Sequence, residues 1–83
     1  MKTVLITGAT SGIGEACARR FARGGYRLVL TGRNEEKLNA LREELAAVGA
    51  EVVTLAFDVR DREAATVALS SLKEAPDVLI NNA

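Results

Sequence analysis

Histidine and tryptophan are absent from this 83-residue chain, and cysteine, proline and tyrosine occur once each. Without histidine there is neither a Cys/His metal set nor a Ser-His or Cys-His catalytic pair. One cysteine cannot close an internal disulfide. An excess of charge is lacking too, because 11 basic and 11 acidic side chains cancel. A neutral chain has no electrostatic footprint for a nucleic-acid backbone and no block of like charge for an anionic membrane. Its apolar runs fall far short of the roughly 18 residues needed to cross a bilayer. The opening Met1-Lys2-Thr3-Val4-Leu5-Ile6-Thr7 lacks a signal peptide's apolar core and cleavage site. These absences predict a cytoplasmic protein with neither nucleic acid nor membrane as partner.

What is present is an ordinary globular composition, 48% apolar and 27% charged, which argues against disorder. Most domains run about 100 to 150 residues, so this is a small domain or part of a larger one. Three successive units of about 25 residues each combine an apolar run, a helical pattern and a glycine or proline stop. That alternation predicts an α/β fold with a parallel sheet. The runs Thr3–Thr7, Arg27–Thr31, Glu51–Phe57 and Val78–Ile80 read as four buried strands, rich in Val, Leu and Ile without strict polar alternation. Ile13, Ala16, Cys17 and Phe21 form the expected inner stripe of helix one, and Gly24-Gly25 ends it. Asn34 caps helix two, whose stripe is Leu38, Leu41, Leu45 and Val48 before Gly49. Asp61 caps helix three, with Ala65, Ala68, Leu69 and Leu72 inward and Pro76 as the stop. No linker or low-complexity tract divides the chain, which reads as one domain over residues 1–83.

Straight out of strand one comes Thr7-Gly8-Ala9-Thr10-Ser11-Gly12-Ile13-Gly14, with helix one starting inside it. A helix start carries four N–H groups without partners and about half a positive charge, a ready receptor for a pyrophosphate. Gly8 would make the tight turn, Gly12 would clear space for phosphates and Gly14 would let the helix pack closely, by the logic of the dinucleotide-binding fingerprint. The stretch Gly8, Ala9, Thr10, Ser11, Gly12, Ile13 and Gly14 is therefore the candidate phosphate cradle. Thr10 and Ser11 read equally as hydroxyl donors to it and as ordinary turn residues.

After strand two, where an NAD-binding domain usually places an acid for the ribose hydroxyls, the chain reads Thr31-Gly32-Arg33-Asn34. A guanidinium there can donate paired, charge-assisted hydrogen bonds to a 2′-phosphate, which favours NADP over NAD as cofactor. The competing reading of Arg33 is a solvated arginine near a helix start.

With these residues in hand, the chain resembles the start of a short-chain dehydrogenase/reductase over its whole length. The spacing Thr-Gly-x-x-x-Gly-x-Gly at Thr7 to Gly14 is similar to that of the family's main branch and differs from that of its extended, epimerase-like members. Asp58-Val59 is similar to the family's Asp-Val after strand three, and Asn81-Asn82-Ala83 to the start of its Asn-Asn-Ala-Gly. The resemblance implies that Asp58 accepts from the adenine amino group, that Val59 donates a backbone bond to the ring, and that Asn81, Asn82 and Ala83 line the adenosine side. Read alone, Asp58 is a loop acid and the asparagines a polar strand end. Some NADP-preferring members carry a basic residue where Ser11 stands, so the phosphate clamp here would rest on Arg33 with help from Asn34. Thr31-Gly32-Arg33 and the leader Thr7-Gly8-Ala9-Thr10 look most like NADP-dependent members acting on serine and small 3-hydroxy acids.

The implied fold is a partial Rossmann-type doubly wound parallel sheet, four strands in order 3-2-1-4 with three helices. Right-handed crossovers then put helices one and two on one face and helix three on the other, leaving strand four an exposed edge. The resemblance also implies a Ser and a Tyr-x-x-x-Lys pair for carbonyl reduction, and this chain contains no such pair. The only tyrosine is Tyr26, with Leu30 four places on, so Tyr26 reads as a strand-entry residue and Cys17 as a small core hydrophobe. No catalytic or metal-binding residue is expected. The leading expectation is the N-terminal, NADP-binding portion of an oxidoreductase, inactive alone, whose complete form acts on a small alcohol or carbonyl substrate as a homo-oligomer. The rival is a non-catalytic NADP(H)-binding or sensing module.

Overall fold

Runs of Val, Leu and Ile separated by capped helical segments yield, in a computed structural model describing residues 1–58, 60–72 and 75–82, a strict strand-helix alternation. The elements are β1 (Thr3–Thr7), α1 (Gly12–Arg23), β2 (Arg27–Gly32), α2 (Glu35–Ala47), β3 (Val52–Ala56), α3 (Arg62–Ser70) and β4 (Val78–Asn81). The four strands form one parallel sheet in the order β3-β2-β1-β4, as the sequence predicts. Thr3 N–H bonds the Asp77 carboxylate at 2.8 Å and Asp77 N–H returns to the Thr3 carbonyl at 2.8 Å, which seats β4 beside β1.

Side chains alternate across a strand, so the register Val4 with Leu28 and Val78, and Ile6 with Leu30 and Ile80, gathers these residues on one face. Val4, Ile6, Leu28 and Leu30 join Ala9, Ala18, Leu38, Leu41 and Leu45 in one buried cluster, placing α1 and α2 together over that face. Each large, fully buried member, such as Ile6, Leu30 or Leu38, contributes about 1.5–3 kcal/mol by leaving water. None of the described residues of α3 belongs to this cluster. A right-handed crossover puts α3 over the opposite face, to which the buried Leu5 and Val29 point.

Four expectations change in the folded chain. Only β1 and β2 are buried; β3 and β4 are the two edges of the sheet and are half-exposed, with Leu79 59% accessible, in keeping with the edge position expected for strand four but not with four buried strands. In α1, Ile13 is 70% exposed and Ala16 is exposed, while Gly14 and Ala18 are buried and Cys17, Phe21 and Ala22 pack on the core. The inward stripe is rotated by about one residue because Gly14, the smallest residue, makes the closest approach. Val48 falls past the last turn of α2 as its cap and is 71% exposed, the chain turning at Gly49 with φ 91°. Helix α3 stops at Ser70, so Leu72 lies outside it, Leu69 faces solvent, and only its alanines are half-buried.

The capping predictions agree with the structure. The Asn34 side chain accepts from Lys37 N–H and that of Asp61 from Ala64 N–H, both at 3.0 Å. Each such cap stabilises its helix by about 1 kcal/mol. Tyr26 meets Phe21 edge to face with centroids 5.1 Å apart, consistent with packing at the entry of β2.

Candidate functional site

The carboxyl ends of all four strands point to one side, and between β1 and β4 the connections run off in opposite directions. A crevice opens at such a switch point in doubly wound sheets. Here it is a cleft of about 520 Å³ whose floor includes Gly8, Thr10, Ser11 and Gly32 and whose rim includes Arg33, Asn34, Lys37, Phe57, Asp58, Arg60 and Asn82.

The loop from β1 to α1 is braced from both sides. Gly8 takes φ 62°, a left-handed conformation that suits glycine. Ala9 is fully buried and its N–H bonds the Thr31 carbonyl at 2.9 Å, tying the loop to β2. On the other side the Asn82 side-chain amide donates to the Gly8 carbonyl at 3.2 Å and to the Ser11 hydroxyl at 2.5 Å, and Asn82 N–H donates to the Thr7 hydroxyl at 3.0 Å. The Thr7 hydroxyl in turn donates to the Asn81 side-chain oxygen at 3.1 Å. Ser11 is the N-cap of α1: its Oγ accepts from Gly14 N–H at 3.4 Å and donates to the Gly8 carbonyl at 2.9 Å. That donation commits the Ser11 hydroxyl proton to the loop itself.

The two glycines inside the helix start differ physically. A Cβ on Gly14 would collide with the Gly8 carbonyl oxygen and lie 2.9 Å from Ala9 Cα, both backbone atoms. A Cβ on Gly12 would meet nothing within 4 Å. The amides of Gly12 and Ile13 have no hydrogen-bond partner among the described residues, whereas Gly14 N–H is taken by Ser11 Oγ and Glu15 N–H by the Ser11 carbonyl. Two free donors at the positive end of a 12-residue helix, facing open space, form a surface suited to an anion.

Across the cleft, the Arg33 side chain is 69% exposed with Nη1 4.0 Å from Asp58 Oδ2. The side-chain oxygen of Asn34 is committed to the α2 cap, leaving its amide as the group with which it could donate. Asp58 is gripped by Arg60, whose backbone N–H and guanidinium donate to both carboxylate oxygens at 2.9–3.3 Å. These bonds, the guanidinium's first, and then the nearby Arg33 charge hold the Asp58 carboxyl down at about 2 against burial. Val59 and Ala83, also expected to contact the base side, lie outside the described residues.

Sequence reasoning missed Lys37, Phe57 and Arg60 on this rim. Lys37 lies in the first turn of α2, three residues past the Asn34 cap whose side chain accepts from its N–H, and that spacing could have flagged it. Phe57 ends the β2–β3 ladder with its N–H on the Gly32 carbonyl at 2.9 Å, and Arg60 is recruited by the two-residue turn after Asp58. Lys37, Arg33 and Arg60 against Asp58 give the cleft lining two positive charges in excess, three minus one, in a chain of zero net charge. Among the described residues no helix is long and apolar enough to cross a membrane.

Comparison with known proteins agrees with this arrangement. The chain is 52% identical over 83 residues to a sulfoacetaldehyde reductase of Chromohalobacter salexigens, covering 96% of this chain and 32% of that protein. It is 47% identical over 83 residues to the NADP-dependent 3-hydroxy acid dehydrogenase of Salmonella typhi, with the same coverage of each. The crystal structure of L-sorbose reductase from Gluconobacter frateurii, complexed with NADPH and L-sorbose, superposes with a TM-score of 0.92 at 35% identity, over 99% of this chain and 33% of that one. The chain thus spans about a third of the length of these relatives. The short chain dehydrogenase profile matches residues 2–83, and with the sheet order, the glycine loop and the cleft agreeing, the chain belongs to that family.

Proposed function

We propose that residues 1–83 are the N-terminal, NADP(H)-binding portion of a reductase or dehydrogenase acting on a small hydroxy or carbonyl compound, such as a 3-hydroxy acid. The observation that carries this reading is that the unpartnered amides of Gly12 and Ile13 directly follow the loop whose Gly8, Thr10 and Ser11 line one cationic cleft with Arg33, Lys37 and Arg60. The residues fit the cofactor on their own chemistry. Gly12 leaves open the space a side chain would fill, and the lining carries an excess of positive charge suited to a pyrophosphate and a 2′-phosphate.

In this reading Gly12 and Ile13 N–H groups receive the pyrophosphate, Gly8 and Gly14 shape the approach, and Arg33 receives the 2′-phosphate with the Asn34 amide and Lys37 beside it. Asp58 accepts from the adenine amino group. Asn82 and Ser11 hold the loop in its receptive form, and Thr10 borders the floor. The bound cofactor would supply hydride transfer, while this chain contributes orientation and charge. The named activities of the relatives, sulfoacetaldehyde reduction and 3-hydroxy acid oxidation, support a small polar substrate.

Calorimetric titration of NADP and NAD against the protein and its Arg33→Ala variant tests the reading. NADP should weaken by about tenfold to a hundredfold and NAD by less than about twofold. Equal losses for both would remove the 2′-phosphate assignment.

A further inference from the structure

The proposed base acceptor is not an open one. Asp58 Oδ1 accepts from Arg60 N–H at 2.9 Å and from Arg60 Nε at 3.1 Å, while Oδ2 accepts from Nε at 3.3 Å and from Nη2 at 2.9 Å. A carboxylate has about four lone-pair sites, and three Arg60 N–H groups, with Nε–H shared between the two oxygens, take most of them. Arg33 Nη1, 4.0 Å away, adds a second cation on the same oxygen. An amino group arriving at Asp58 therefore meets a carboxylate already largely engaged by two guanidinium groups. We infer that Arg60 competes with the adenine 6-amino group for Asp58, so that base recognition in this cleft proceeds by exchange and Arg60 sets how strongly the base is read.

The inference rests on the proposed binding of NADP with Asp58 as base acceptor. Its physical basis is the fork geometry, which matches both carboxylate oxygens, together with an Arg60 side chain that is 75% exposed and borders the cleft. Exposure allows the guanidinium to leave into water, so the competition is modest in size. An exposed ion pair of this kind corresponds to no more than about a fivefold change in an equilibrium constant. The low pKa of the Asp58 carboxyl agrees with an acceptor that is charged and already hydrogen-bonded before any base arrives.

The test compares NADP with its hypoxanthine analogue, in which a carbonyl replaces the 6-amino donor, by calorimetry on the wild-type protein and on Arg60→Ala, Arg60→Gln and Arg60→Lys. The expected result is that the preference for NADP over the analogue rises about three- to fivefold in Arg60→Ala and Arg60→Gln, because the lost cleft charge weakens both alike while only NADP gains the freed Asp58 acceptor. Arg60→Lys, which keeps charge without the fork, should fall between. Two exposed-loop variants guard against misfolding of either one. A preference unchanged or reduced in both overturns the inference. If Arg33→Ala still lowers NADP affinity in that case, the cofactor reading survives alone; if wild-type protein binds neither nucleotide, both fall.

Discussion

Replacing Gly14 with alanine pits helix propensity against steric exclusion, and the structure says which wins. Alanine in a helix interior is favoured over glycine by about 1 kcal/mol. Against that, a Cβ at Gly14 would overlap the Gly8 carbonyl oxygen and stand 2.9 Å from Ala9 Cα and 3.0 Å from the Gly8 carbonyl carbon. These are backbone atoms of a loop pinned by the Ala9 N–H to Thr31 bond and by Asn82, so no side chain can swing aside. Overpacking against yielding neighbours already costs about 1–3 kcal/mol, and here α1 must lift off the loop as a body. The net expectation is a loss of about 1–3 kcal/mol, which at about 4–8 °C per kcal/mol for a domain of this size is a fall in Tm of about 4–24 °C. Gly12→Ala is the matched control, since its Cβ enters open space. It should keep or slightly raise Tm while weakening NADP binding at least about tenfold, because the methyl occupies the proposed phosphate approach. Thermal unfolding by circular dichroism, paired with calorimetry, reads both effects. A Gly14→Ala protein as stable as Gly12→Ala would refute the close-packing argument.

Two further outcomes are expected. The Thr31 hydroxyl is buried and has no hydrogen-bond partner among the described residues, so Thr31→Val, which keeps the shape and removes the unmet polar group, should stabilise the protein by about 1 kcal/mol in urea unfolding; a loss of similar size would reveal a bond to that hydroxyl. The Asp58 carboxyl is held at about 2, below its ordinary 3.8, so its contribution to stability is present above about pH 4 and is lost as pH falls through 2. Carboxyl-carbon NMR titration should follow that low midpoint in the wild type and a rise toward 3.8 in Arg60→Ala; a wild-type midpoint already near 3.8 would dissolve the Asp58–Arg60 pair.

The sequence by itself determined the alternation of strands and helices, the caps at Asn34 and Asp61, the turns at Gly8 and Gly49, and the glycine loop that opens α1. Each depends on neighbours within about one helical turn, where hydrogen-bond partners and allowed φ are set by residue type. Tertiary structure alone decided the phase of α1, because apolar spacing at Ile13, Ala16 and Cys17 cannot register that Gly14 must touch Gly8. It alone exposed β3, whose Val and Leu content matches that of the central strands but which lies at an edge of the sheet. It also joined Asn82 to Ser11 across 71 residues and brought Lys37, Phe57 and Arg60 to one rim. Contacts between distant segments depend on how the sheet stacks its strands, and no local pattern of residues encodes that distance.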